Sequence, residues 1–295
     1  MAAFDLPRST YTTYRKRRSQ TNPERDRLRA RVVDIHKASR GGAGARTIAG
    51  TLNQEGEVIG RHKVTRLMAE AQITSKQPGP KRFKPAVKPS DIASNDLNRE
   101  FTVERPNDTW CGDVTYIWSG NQWLYLALVI DLFARRIVGW AVSDSPDSAL
   151  TGKALTTAFY SRGKPEGVRY HSDQGCHYTS QEFRGILTRN HIKQSMSRRG
   201  NCWDNAPMER VFRSLKTEWM PKNGYDSVDE AEADLFAFIQ YYNFMRAHSY
   251  NNYATPAAAE EELKYQKIIL LTGTKILDHH KAILITPESL FSRAI

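Results

Sequence analysis

Apolar residues recur along this chain with two different periods, and the change between them divides it. From 24 to 38, Leu28, Val32 and Ile35 stand at i, i+4 and i+7, one stripe of an amphipathic helix. A second helix is predicted from Ala45 to about Glu55, with Ile48 and Leu52 four apart and Gly56 as its breaker. A third follows from about Arg61, with Val64, Leu67 and Met68 inward. Past residue 107 the apolar residues come as runs, 109–117, 122–131 and 135–143, which predicts an antiparallel meander partly buried on both faces. A helix over 147–162 comes next, then a strand over 168–172, a turn-rich DQGCHYTS, a helix over 180–190 and a strand over 191–195. Two more helices are predicted, at 205–220 and 228–245, the latter with Leu235, Phe238, Ile239 and Tyr242 inward. Three strands followed by strand and helix alternation predict a mixed α/β sheet behind an all-α domain.

Charge sharpens this division. Residues 1–100 hold 21 of the 43 basic and 10 of the 32 acidic groups, so the whole net charge of +11 lies in the first third. A basic module joined to a neutral one suits a protein that grips a polyanion and acts on it. The predicted divisions are a basic segment over 1–22, a helical domain over 23–74, a basic Pro-rich linker over 75–106, a catalytic core over 107–262 and a tail over 263–295. Arg61, Lys63 and Arg66 fall on the outer side of the third helix, as the second helix of a helix-turn-helix requires. On pattern alone a three-helix cap with a solvated face fits as well. Lys81, Arg82 and Lys84 lie between the linker prolines, spaced to follow a phosphate backbone or simply to be solvated.

No run of about eighteen apolar residues and no signal-peptide core is present, so a soluble, intracellular protein without a membrane partner is expected. Cys111, Cys176 and Cys202 form no CxxC pair, which leaves a disulfide framework and a zinc finger without support.

Three acids stand where a mixed sheet gathers them: Asp113 mid-strand, Asp173 just past a strand end and Glu209 early in the long helix. In that helix Met208, Phe212, Leu215 and Trp219 form the buried stripe, Glu209 lies at its edge, and Arg213 and Lys216 follow on the same side. Three carboxylates suffice to hold Mg2+, which prefers oxygen ligands and keeps water and phosphate in its shell. Solvated or capping acids at strand ends and helix starts are the alternative. Asp131 and Asp144 read as turn residues, Asp204 and Asn205 as helix caps, and His171 as a packed histidine. The loop Ser197-Arg198-Arg199-Gly200-Asn201 is cationic and leads into the Glu209 helix, so Arg198 and Arg199 are expected to touch DNA.

The wording around these acids, WCGDVTYI, HSDQGCHYTS and SMSRRGNCWDNAPMERVFRSLKTE, resembles the integrase-like core of bacterial insertion-sequence transposases, above all the OrfB transposases of the IS-three group. That family has an Asp, Asp, Glu triad with thirty-five residues between the last two and a basic residue seven after the Glu. Here thirty-five residues separate Asp173 from Glu209, and Lys216 is the seventh after it. YYNFMRAHSYNNYATPAAAEEE resembles the family's terminal segment and 45–73 its helix-turn-helix, so the resemblance covers about residues 5–262. It implies a ribonuclease-H-like fold of the retroviral integrase superfamily. It implies Asp113, Asp173 and Glu209 as ligands of two Mg2+ ions, with Mn2+ as a substitute, and DNA cleavage followed by attack of a 3′-OH. Implied partners are the element's terminal inverted repeats, target DNA, further copies of the chain on paired ends, and an upstream-frame product as fusion or partner. The competing expectation is a DNA-binding repressor or end-pairing protein with a non-catalytic core.

Overall fold

The computed structural model describes residues 7–19, 22–77, 92–120 and 122–272. Lys81, Arg82 and Lys84 lie outside the described residues. Helix α1 spans Arg8–Ser19, α2 Pro23–Ala38, α3 Ala45–Gln54 and α4 Arg61–Glu70. Asn22 caps α2 by accepting the Arg25 amide, with Pro23 at the first position, where its missing N–H costs nothing. Leu28, Val32, Ile48, Leu52, Val64, Leu67 and Met68 close a small core between α2, α3 and α4. Arg61, His62, Lys63, Thr65 and Arg66 point to solvent, as the helix period required.

The second core is a five-stranded sheet: β1 Thr109–Ser119, β2 Gln122–Asp131, β3 Arg136–Ser143, β4 Arg169–Ser172 and β5 Lys193–Met196. Its order is β3-β2-β1-β4-β5. The first three strands are antiparallel, and β4 and β5 run parallel to β1. This is the ribonuclease-H-like arrangement. Helices α5 (Ser148–Ser161), α6 (Cys176–Thr179) and α7 (Gln181–Arg189) cover one face; α8 (Ala206–Ser214) and α9 (Val228–Phe244) cover the other. The expected start of α5 is a true cap, since Asp147 accepts the Leu150 amide at 2.9 Å. α10 (Pro256–Thr272) follows, and its buried Glu260 accepts Arg136 at 2.7 Å and Arg162 at 2.8 Å. No helix among the described residues is long and apolar enough to cross a membrane.

Gly139 on β3 is a close-approach site. A Cβ there would sit 2.6 Å from Ala158 Cβ and 2.7 Å from its amide nitrogen, both in α5. Gly139→Ala is expected to destabilise the core by about 1–3 kcal/mol, because backbone cannot give way as a flexible side chain would; denaturant melts would show it as a lower midpoint.

Two features depart from the periodicity. The long helix after residue 205 keeps α geometry only to Ser214 and widens into a π turn over Leu215–Trp219. The end of the expected linker is also not free. Leu97 is fully buried against the core, with Phe101 and Val103 packed beside it, and Met196 donates to the Ser94 carbonyl at 3.1 Å.

The helical domain rests on the core through few contacts. Arg40 pairs with Asp234 at 2.6 Å and stacks 3.9 Å over Trp219, Lys76 donates to the Glu218 carbonyl at 2.9 Å, and Gly50 lies under the Tyr253 ring.

Candidate active site

Side chains alternate along β1, so Asp113 shares its face with Cys111 and Ile117, which pack toward α8 and α9. On β1, β4 pairs only with Thr109–Cys111, and Asp113 stands just beyond that pairing, at an open edge. Asp173 follows the last residue of β4, and Glu209 lies in the first turn of α8. Met208, Val211 and Phe212 bury the inner side of α8, and Asn205 ties its start to β1 by donating to the Gly112 carbonyl at 3.2 Å.

The Asp113 carboxyl is held well above the ordinary carboxylate range. Desolvation is the largest cause, followed by the charge of Asp173; the Val114 amide opposes the shift, Glu209 adds to it and Lys216 opposes it. Three acids and one ammonium thus act on a single electrostatic neighbourhood. Among the described residues no three carboxylate, imidazole or thiol groups are drawn tightly enough to enclose an ion. Asp113 Oδ1 accepts the Val114 amide at 2.8 Å and Asp173 Oδ1 the Gly175 amide at 2.9 Å, so each carboxylate has one oxygen turned to backbone. The donor set itself suits a divalent cation: hard oxygens, one of them desolvated among like charges that a cation would neutralise.

Behind the acids lies a buried polar cluster that holds the loop before α8. Asp204 is fully buried and caps no helix amide. It accepts the Arg198 amide, Nε and Nη2, each at 2.9 Å, Arg99 Nε at 2.6 Å and Asn95 Nδ2 at 3.1 Å. Arg198, expected from sequence to touch DNA, turns its Nε and Nη2 to this carboxylate while its side chain remains exposed, as is that of Arg199. The reason is a buried carboxylate six residues away that needs charged donors. His171 is fully buried, between Ser195 Oγ at 2.9 Å, Ser197 Oγ at 3.1 Å and the Asp204 carbonyl at 3.0 Å. It is a packed histidine. Asp131 ends β2 beside the turn, as expected, and is buried there, accepting the Asn107 and Phe133 amides and Arg162.

Arg213 is exposed on α8, and Lys216, in the π turn, holds its ammonium 4.2 Å from the Tyr116 ring centroid. Arg246 and His248, in the segment YYNFMRAHS, are internal. Arg246 pairs with Glu218, and His248 is buried, with Nδ1 accepting the Tyr250 amide.

Three comparisons place the chain. A family model described as an integrase core domain matches residues 103–202, a second of the same description 190–256, and an HTH-like domain 23–81. A 31 kDa protein of insertion element IS600 from Shigella sonnei is 33% identical over 264 residues, 88% of this chain and 96% of that protein. The putative transposase InsK of insertion sequence element IS150 from Escherichia coli is 33% identical, over 83% of this chain and 87% of its own length. The chain belongs to the IS3 family of insertion-sequence transposases. The putative transposase InsO of IS911B, also from Escherichia coli, is 50% identical to this transposase over 48% of this chain and 72% of its own. Among solved structures, the catalytic core domain of HTLV-2 integrase in complex with magnesium covers 53% of this transposase and 97% of that chain, at 21% identity and a TM-score of 0.40. DNA transposition is thus the function of this transposase, and polynucleotidyl transfer its class of activity. The reading of a non-catalytic repressor is not favoured.

Burial of the two histidines gives the transposase an acid-sensitive side. Burial pushes His171 down to about 4 and His248 to about 3, so both stay neutral in the fold while the unfolded chain takes up protons below about 6.5. Each contribution is complete above that value and is lost as pH falls toward the folded pKa. By pH 5 each costs about 2 kcal/mol, against about 1 kcal/mol returned by Asp131, whose carboxyl burial raises to about 6. The desolvated Asp113 carboxyl offsets in the same direction as Asp131, so the expected readout is the difference: between pH 7 and pH 5 the thermal midpoint of His248→Gln falls less, or rises more, than that of the parent.

Proposed function

We propose that Asp113, Asp173 and Glu209 are the reaction centre of this transposase and hold two Mg2+ ions, with Mn2+ as a substitute. The observation that carries this reading is the shared electrostatic neighbourhood: Asp113 is desolvated and feels Asp173, Glu209 and Lys216 at once. When bound, the ions would activate the attacking oxygen and offset charge on the leaving one. The protein's own part is positional. In this reading the sheet edge would fix Asp113 and Asp173, and the packed inner side of α8 would hold Glu209 toward them. No Ser or Tyr nucleophile is needed, because a 3′-OH attacks the phosphodiester directly. The cut strand end and the target strand would be joined in one transesterification, with one phosphodiester bond formed and one broken.

DNA is gripped elsewhere in this reading. Arg61, Lys63 and Arg66 are exposed on α4 and would enter the major groove of the terminal repeat. Arg199, Arg213 and Lys216 would hold phosphates beside the carboxylates, and Lys81, Arg82 and Lys84 would follow the backbone between them. Two or more copies would pair the element's ends, with an upstream-frame product as a further partner or fusion, in the cytoplasm at the nucleoid. The test is an oligonucleotide assay with element ends, target DNA and Mg2+. Products longer than the substrate strand are expected; a chain that only shortens strands is a nuclease without joining activity. A triple substitution of Arg61, Lys63 and Arg66 to Ala is expected to weaken end binding by about tenfold or more, read by electrophoretic shift, while the melting profile of the core stays unchanged.

A further inference from the structure

Beyond Cys111, the last residue paired with β4, β1 continues to Ser119 with that edge bridged among the described residues only at Ser119, to Tyr225. Along this stretch three large rings stay in solvent: Tyr116 is 48% exposed, Trp118 38% and, across the hairpin, Trp123 47%. They form a strip. Trp118 and Trp123 meet edge to face with centroids 5.0 Å apart, and Tyr116 meets Trp123 likewise at 5.3 Å. Lys216 lies with its ammonium 4.2 Å from the Tyr116 ring centroid, so one end of the strip carries a positive charge. The same ammonium acts on the Asp113 carboxyl. Tyr116 is three residues from Asp113 on β1, about 10 Å along the strand, and the odd offset puts its ring on the sheet's other face, so Lys216, which acts on both, marks the open strand edge they share.

We propose that Tyr116, Trp118 and Trp123 form a stacking platform for unpaired bases of the DNA strand that reaches Asp113, with Lys216 taking a phosphate of that strand. The inference rests on the carboxylate assignment above for its position, and on the transposase's DNA chemistry for its occupant. Exposed aromatic rings in a group are costly in water unless a flat, weakly hydrated surface covers them. A paired base hides both π faces between its neighbours and shows only its edge, so duplex DNA gains nothing from such a strip. An unstacked base offers a face, and the sugar-phosphate attached to it needs a cation at one side. Ring strip and ammonium supply those two elements in one place. A platform here would hold a strand end open next to the carboxylates and keep it from reannealing.

The probe is a duplex of arbitrary sequence with a short single-stranded 3′ extension that carries 2-aminopurine, whose emission is quenched by stacking on aromatic rings. It is bound at low salt to the full chain carrying Asp113→Asn, so that no strand is cut. Quenching is expected on binding, and its recovery when Trp118→Ala and Trp123→Ala are added. Trp118→Phe with Trp123→Phe should retain it. Affinity for the extended duplex should fall about tenfold or more in the Ala pair, with affinity for a blunt duplex unchanged. Equal loss for both DNAs, or unquenched emission in the parent, would overturn the platform. So would a loss of self-association on sedimentation with emission unaltered, which would assign the strip to a contact between copies. Retained nicking by Asp113→Asn alone would instead remove the carboxylate assignment, a result read in a separate assay.

Discussion

Purified Asp113→Asn protein is expected to bind element-end DNA as well as the parent does and to cut none of it, with Asp173→Asn and Glu209→Gln behaving alike. Each change keeps the side-chain shape and removes the charge that a divalent cation needs. The rate of strand cleavage should fall by about a thousandfold or more, because several kcal/mol of transition-state charge stabilisation depend on the bound ions. Joining should be lost in parallel when a precut end is supplied, since the same centre serves both steps. For Asp113 the change also relieves a cost. Its carboxyl is desolvated beside Asp173 and Glu209, so Asp113→Asn should melt no lower than the parent while losing activity. Retained nicking in any of the three would remove the assignment.

Asp204→Asn is expected to injure the fold and the reaction together. The buried Asp204 carboxylate takes three bonds from Arg198, one from Arg99 and one from Asn95, and so joins the loop before α8 to the segment that precedes the sheet. Those hydrogen bonds and charges hold its carboxyl below the usual carboxylate range, the Arg198 side chain being the largest cause. Removing the charge should cost about 2–3 kcal/mol, less than for a fully enclosed pair because both guanidinium groups are partly exposed. The contribution is fully present above about pH 4 and is lost as pH falls below it, toward the depressed folded value. Equilibrium unfolding checks the stability; strand transfer at a temperature where the variant stays folded checks the second effect. Activity should fall there too, because α8 and Glu209 begin where this clamp ends.

Why the strands and helices were legible and the clamp was not comes down to which interactions have a period. β1, β2 and β3 bury alternate or continuous apolar residues, and α5, α8 and α9 repeat theirs every three or four positions, so each face could be read in one dimension. Asp113, Asp173 and Glu209 are proposed as a group from their spacing and flanking words, which no periodicity supplies. Asp204 was misread because an acid just before a helix looks like a cap, and nothing local shows that Arg198, Arg99 and Asn95 converge on it. The packed end of the linker did have a signal, Leu97, Phe101 and Val103 within seven residues, but the prolines and lysines before it set the composition of the whole stretch. The π turn after Ser214 left no trace in the pattern, because Leu215 and Trp219 are apolar and buried in either geometry.

The contact between Arg40 and Asp234 gives the molecule two separate responses to ionic strength. One is release of counterions from bound DNA, which sets how steeply affinity declines with added electrolyte. The other is screening of a half-exposed ion pair that seats the helical domain on α9 and the π turn. A plot of log affinity against log salt for this transposase therefore mixes phosphate contacts with domain seating, and its slope overstates the number of phosphates held. In Arg40→Ala, where the pair is already absent, the slope would count phosphates alone.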